Sequence, residues 1–357
     1  MGSERIGVIG SGNTARALAA YLSHQGHSVC VYTRHPEKLE TIRRRGHIEA
    51  TGLLEGMFPI EEVTNEPERL ARQCGTLFVA SITTAYLDVA AALAPHLREH
   101  HSLVLFSSKL CGSLEMTRAL HGHGVQGVPV IETDALFACR AREDHGIWIA
   151  GLKGWTFLAC PQRSGTLSHG PLVRRFFPGL EDASNLVQRG LTDFGALAHA
   201  IVSLVNLGSI DRGERLRFYV EGLSERTIVL LERMEEEFHA VARAYGTSLL
   251  PMKELLNRYY GCETGSLLEA MRTVPSYREL YAPTCLEHRF LTEDIATSLV
   301  PLQGLARKAG VAVPMVDAVI TFTSVLSGQD LRAKGRTLER LGWGGLSHEA
   351  IVRWMEQ

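Results

Sequence analysis

The chain opens on a short strand that runs directly into a glycine turn and then a helix. Ile6-Gly7-Val8-Ile9 is β-prone, Gly10-Ser11-Gly12-Asn13-Thr14-Ala15 is a G-x-G-x-x-A turn, and Arg16 to His24 is patterned as a helix. This order constrains the fold strongly, because the turn packs a helix against its own strand and presents free N–H groups and a partial positive charge at the helix start. Gly10 permits the tight turn, Gly12 lets a pyrophosphate approach the backbone, and Ala15 is small enough for close helix–strand packing. Asn13 and Thr14 complete the surface offered to the phosphates. A dinucleotide cofactor is the expectation.

The next strand, Ser28-Val29-Cys30-Val31-Tyr32, ends where an NAD enzyme usually carries Asp or Glu for the adenosine ribose, about 20 residues after the glycines. This chain has Thr33-Arg34-His35-Pro36-Glu37-Lys38 there. No carboxylate repels a 2′-phosphate, Arg34 can bind one through its planar fork, and Lys38 can add a second charge. With Thr33 these residues predict NADPH in preference to NADH; the competing reading is solvated cations in a surface loop.

Thr76 to Ser81, Ser102 to Phe106 and Val128 to Ile131 read as further strands, and Ile147–Ala150 with Trp155–Ala159 as a late hairpin. Strands alternating with helices imply a mostly parallel sheet that binds ligands at its carboxyl ends. Ser81 and Thr83 at one such end, and Ser107-Ser108 at another, are candidate cofactor contacts, with ordinary strand-end turn chemistry as the alternative. After about residue 190 the strand signal stops. Asp193 can cap a helix with Leu197 and Ile201 on its apolar face, and Ser224 can cap another. The expected organisation is an α/β, Rossmann-like, doubly wound parallel sheet over residues 1–185 and an all-α domain over 186–357.

Composition removes other classes. Thirty-seven Lys and Arg against 39 Asp and Glu give a formal charge of −2, so no global basic field exists for a nucleic-acid backbone. No apolar run reaches the roughly 18–20 residues of a membrane span, and Met1 to Arg5 is too short and polar for a signal peptide. Seven scattered cysteines without a CxxC pair, and fifteen histidines without HExxH, predict reduced thiols, a cytoplasmic protein and no metal site.

Several stretches resemble the octopine/nopaline dehydrogenase family, the opine dehydrogenases. Phe218-Tyr219-Val220-Glu221-Gly222 is similar to its FYxEG motif, and Arg289-Phe290-Leu291-Thr292-Glu293-Asp294-Ile295 to its R-Y-L-T-E-D motif. Gly335-Arg336-Thr337-Leu338 with Leu341-Gly342 resembles its GRTL…LG, and Glu132 to Arg140 its ET-x-x-L-x-Y-A-C-R stretch. The resemblance implies reductive condensation of a 2-oxo acid with an amino-acid amine, using NAD(P)H. It also implies a catalytic histidine at His199, an acidic partner at Asp294 and a carboxylate-binding arginine at Arg289. The family's N-x-x-x-H-P is altered here, with Gly195 for Asn and Ala200 for Pro.

Chemically, a neutral His199 can move protons during imine formation, Asp294 can fix its tautomer, and Arg289 can hold a carboxylate by a bidentate pair. Taken singly, His199 reads equally as a core residue, Asp294 as first-turn dipole chemistry and Arg289 as a surface cation; Glu221 divides between a catalytic and a helix-entry role. Two other functions stay open, a 2-oxo acid reductase of ketopantoate-reductase-like type and a non-catalytic NADP-binding protein. A homodimer through the helical domain is the expected assembly.

Overall fold

The computed structural model describes residues 3–143 and 145–357. Eight strands form the main sheet, in the spatial order Leu180–Asp182, Thr156–Ala159, Val130–Thr133, Ser102–Phe106, Thr76–Val79, Arg5–Ile9, Ser28–Tyr32, Glu62–Thr64. The six from Val130–Thr133 to Glu62–Thr64 are parallel, and Thr156–Ala159 runs antiparallel to its neighbour. The chain begins in the middle of the sheet, builds outward to one edge, then returns to build the other. That reversal opens a crevice at the carboxyl ends of Arg5–Ile9 and Thr76–Val79, the ligand position in doubly wound sheets. All five residues of Ser102–Phe106 are buried, as expected of a strand covered on both faces.

The late hairpin does not form. Gly146–Leu152 pairs antiparallel with Phe137–Arg142 and parallel with His47–Gly52, in a separate four-stranded sheet completed by Gly56–Pro59. Thr156–Ala159 instead joins the main sheet. The intervening backbone is held elsewhere: Gly154 N donates to Tyr259 O at 2.7 Å, drawing the connection toward the helical half.

From Leu186 onward, apart from one isolated bridge, the described secondary structure is helical. Asp193 accepts from Ala196 N to start the helix Phe194–Val205, and Ser224 forms a capping box with Thr227 at the start of Glu225–Ala244. The helix Arg289–Asp294 widens into a π turn at Ile295–Leu299 before continuing as Val300–Ala309. The widening coincides with carbonyls bonded outside the helix: Thr297 O accepts from Leu110 N, and Ala296 O from Arg336 N. One apolar core runs through the helical half and takes in Leu110, Cys111 and Leu114 of the first half. Among the described residues no helix is long and apolar enough to cross a membrane.

Candidate active site

The glycine turn has the geometry its sequence requires. Gly10 sits at φ +138°, and a Cβ there would lie 2.7 Å from Ala80 O and 3.2 Å from the Ala15 methyl. A Cβ on Gly12 would meet nothing within 4 Å, so this flank of the turn is open. The helix Asn13–His24 starts with no acidic residue in its first turn and no side-chain cap, which leaves its leading amides to an anion. Asn13 is exposed beside this opening and accepts from Ala141 N at 3.0 Å; Thr14 is half-buried and Ala15 buried. An open glycine cradle with uncapped amides fits a dinucleotide pyrophosphate.

At the end of the second strand, Thr33 is buried and its hydroxyl accepts from His35 N at 3.1 Å, shaping the turn. Arg34 is half exposed and pairs with exposed Asp88 at 2.9 Å, and Lys38 is exposed nearby in the chain. Ser81 is half-buried at its strand end. Thr83 is otherwise disposed from what its position suggested. It is fully buried, its amide and hydroxyl donate to Glu293 Oε1 at 2.6 and 2.9 Å, and it reaches Thr297 as well, so it ties the sheet to the helical half. Ser108 is also fully buried, with its hydroxyl accepting from Arg189 at 2.6 Å.

The helical half converges on His199. Asp193 fixes the start of its helix, and the ring stacks on Phe290 with centroids 3.8 Å apart and planes at 15°. Nδ1 lies 2.6 Å from Asp294 Oδ2. Phe290 and Asp294 are four residues apart on one helix face, so a single turn supplies both the platform and the carboxylate. The same segment sends Glu293 to Thr83 and leaves Arg289, half exposed, near the mouth of the site at 3.6 Å from Glu293. Glu221 is spent on Arg217, accepting from its backbone at 2.7 Å and its guanidinium at 3.0 Å.

Lys109 completes the arrangement, from the loop after Ser102–Phe106. Its ammonium lies 3.0 Å from Asp193 Oδ2 and 2.5 Å from Asp294 Oδ1, with all three side chains buried. Burial alone would raise the Asp294 carboxyl, but the Lys109 charge and the His199 hydrogen bond outweigh it and hold the group well below the usual carboxylate range. Burial would likewise lower the Lys109 ammonium, yet the two carboxylates raise it above its ordinary value. An ionised Asp294 can only accept, so Nδ1 carries a proton, and in the neutral ring it is Nε2 that holds the lone pair. His288, half-buried and beside Arg289 and His199, is pushed down to about 4 by desolvation and those charges, and is neutral at physiological pH. Sequence reasoning passed over Lys109, since nothing separates a buried lysine after an apolar strand from an ordinary loop cation. The serines before it were the nearest signal.

The loop that carries Lys109 is strained and clamped. Ser107, Lys109 and Cys111 all have positive φ, at 89°, 60° and 61°, conformations that cost non-glycine residues about 1–3 kcal/mol each. Two fully buried arginines hold it. Arg336 bonds Glu115 and donates to the carbonyls of Ser108, Leu110 and Thr297, while Arg189 bonds Glu132, Ser108 and the Lys109 carbonyl. The GRTL arginine and the glutamate of the E-T stretch therefore act on the same five-residue loop.

Between the halves lies a cavity of about 410 Å³, bordered by Asn13, Lys109, His199 and Arg289. Phe137, Trp148, Tyr219, Tyr260 and Tyr277 form much of its wall. Asp134 also lines it, neutralised by Lys153. Gly195 borders His199: a Cβ there would sit 2.8 Å from its Cε1 and 3.1 Å from Nδ1, so the ring occupies room that a side chain at 195 would take.

Comparison with known proteins agrees with this architecture. The family described as NAD/NADP octopine/nopaline dehydrogenase, alpha-helical domain, matches residues 182–327, and that described as NADP oxidoreductase coenzyme F420-dependent matches residues 5–107. An opine dehydrogenase of Arthrobacter sp. (strain 1C) is 28% identical over 351 residues, spanning 98% of each chain. An octopine dehydrogenase in complex with NADH and agmatine superposes with a TM-score of 0.76 at 20% identity, over 99% of each chain. A yersinopine dehydrogenase bound to NADP+ gives 0.68 at 16% identity, over 99% of this chain and 98% of that one. A Rossmann-like half, a helical half that matches the octopine/nopaline dehydrogenase model over residues 182–327 and an end-to-end relative together make the chain similar to the opine dehydrogenases, which are NAD(P)-dependent oxidoreductases.

Proposed function

We propose that the protein is an NADPH-dependent opine dehydrogenase. It condenses a 2-oxo acid of the pyruvate or 2-oxoglutarate class with the amine of an amino acid or amino-acid-derived metabolite, and reduces the imine. The observation that carries this reading is His199, bonded through Nδ1 to Asp294 and open to a cavity that also meets Arg289 and the glycine-turn residue Asn13.

When bound, the nicotinamide supplies the hydride that reduces the C=N bond. Arg289 pairs with the 2-oxo acid carboxylate and orients its carbonyl carbon. Nε2 of His199 takes a proton from the amine as it adds to that carbon and returns it to the carbonyl oxygen; a second proton, taken up from solvent, then goes to the resulting hydroxyl, which leaves as water and leaves a protonated imine for reduction. Asp294 stabilises the imidazolium between these two transfers. The aromatic wall limits water around the imine, whose hydrolysis would reverse the condensation. Arg34, beside a strand end without a carboxylate, takes the 2′-phosphate of NADPH, exchanging its surface pair with Asp88 for that contact. The reading includes a cytoplasmic homodimer, for which exposed Val325 and Phe322 on the helix Pro314–Ser327 offer an apolar face.

The test is NADPH oxidation by the purified chain with pyruvate, 2-oxoglutarate or glyoxylate, each with and without a panel of amino acids. Oxidation that requires both partners is expected. Turnover with the 2-oxo acid alone would overturn the reading in favour of a ketopantoate-reductase-like enzyme, and NADPH binding without turnover in favour of a non-catalytic protein.

A further inference from the structure

Lys109 is the one member of the buried cluster that comes from the cofactor half, and the fold maintains a strained loop to deliver it. We propose that Lys109 is a positioning residue for His199: its ammonium bridges Asp193 and Asp294, fixes the Asp294 oxygen that meets Nδ1, and offsets one of the two carboxylate charges beside the ring. Its part in turnover rests on the opine chemistry proposed above.

Geometry supports each element of this role. The two oxygens of Asp294 are divided, Oδ1 to Lys109 and Oδ2 to His199, so the carboxylate cannot rotate without losing one partner. Asp193 is divided in the same way, Oδ1 to the helix start and Oδ2 to Lys109. One ammonium therefore couples the start of the His199 helix to the end of the helix carrying Asp294. Lys109, Asp193 and Asp294 sum to one negative charge, which an imidazolium would bring to zero. The other groups around the ring do not replace the lysine. Tyr219 and Phe218 present rings, His288 lies beyond Phe290, Arg289 is half exposed, and Glu293 is engaged by Thr83. Asp134, also within electrostatic range of Lys109, has Lys153 as its partner.

The test uses the full-length chain without substrate. Imidazole NMR spectra are recorded across pH, and the resonance missing from His199→Gln identifies His199. In Lys109→Met its titration midpoint should rise by about one to two pH units, the effect of removing a positive charge at roughly 6 Å in a medium of effective dielectric near 20. Lys109→Arg, which keeps the charge, should return it most of the way to the wild-type midpoint. A folded Lys109→Met with an unmoved midpoint overturns the proposal. If that variant does not fold, Asp193→Asn serves instead, because its amide oxygen still caps the helix while one negative charge is removed. There the midpoint should fall, and an unmoved one overturns the proposal. These shifts are read without turnover, so failure of the amine-dependent assay would fault the opine reading alone.

Discussion

Asp294→Asn tests how the two halves cooperate at one imidazole. The native carboxylate has an acceptor for each neighbour, with Lys109 Nζ at 2.5 Å from Oδ1 and His199 Nδ1 at 2.6 Å from Oδ2. A carboxamide has one oxygen and one NH2. The Lys109 ammonium can only donate, so the oxygen must face it and the NH2 must face Nδ1. Nδ1 then becomes an acceptor and the ring proton moves to Nε2, where a lone pair is needed to receive the amine proton. An inverted tautomer of this kind costs roughly 10³–10⁴ in kcat, or about 4–5.5 kcal/mol of transition-state stabilisation. KM for the 2-oxo acid should change little, since Arg289 is untouched. The assay is steady-state NADPH oxidation with the 2-oxo acid and amine identified in the screen, on protein whose fold is verified by circular dichroism. Adding Lys109→Met removes the donor that dictates the amide's orientation, so the double variant should recover part of the loss. A folded Asp294→Asn enzyme within tenfold of wild-type kcat would refute the tautomer argument.

Three further outcomes follow from other parts of the structure. Arg34→Asp should lower the NADPH-over-NADH ratio of kcat/KM by roughly 10–100-fold, the worth of a charge-assisted contact; an unchanged ratio removes Arg34 from cofactor selection. Arg336→Met leaves Glu115 buried with Arg340 as its remaining cation and takes the Arg336 donor from the loop carbonyls of Ser108 and Leu110, so unfolding free energy should drop by about 3–5 kcal/mol in a denaturant titration. Because Asp294 is depressed in the folded state, its contribution to stability is complete above its ordinary value of 3.8 and is lost as pH falls below that value toward the folded one. Denaturant stability measured at pH 5 and at pH 3 should therefore fall less in Asp294→Asn than in the wild type, and equal falls would contradict the assignment.

The parts of this molecule legible in sequence are those where local chemistry admits few alternatives. Gly10 is needed because the backbone lies at φ +138° against Ala80, and Asp193 and Ser224 announce helix starts because an exposed amide needs an acceptor within three residues. R-F-L-T-E-D is legible as a unit because one helical turn sends Phe290 and Asp294 to the histidine and Glu293 to the sheet. What escaped depends on non-local pairing. His47–Gly52 and Phe137–Arg142 are short and partly polar, and each finds its partner, Gly146–Leu152, through a separate pairing. The hairpin expectation failed because neighbouring apolar runs can belong to different sheets. Thr83 and Ser108 read as cofactor hydroxyls because strand ends usually face a ligand, whereas here the helical half covers them.

The division of the Lys109–Asp294–His199 contacts between the sheet half and the helical half has a consequence for modularity. In this protein the boundary between them runs through the buried charge cluster itself, with the cation on one side and both carboxylates on the other. A chimera that kept the helical half but borrowed a cofactor half lacking a lysine at this loop would inherit two facing carboxylates with no ammonium between them. Drift in the two halves is correspondingly linked: a change at 109 alters the conditions under which residues at 193 and 294 can be acidic, even though more than eighty residues of chain separate them.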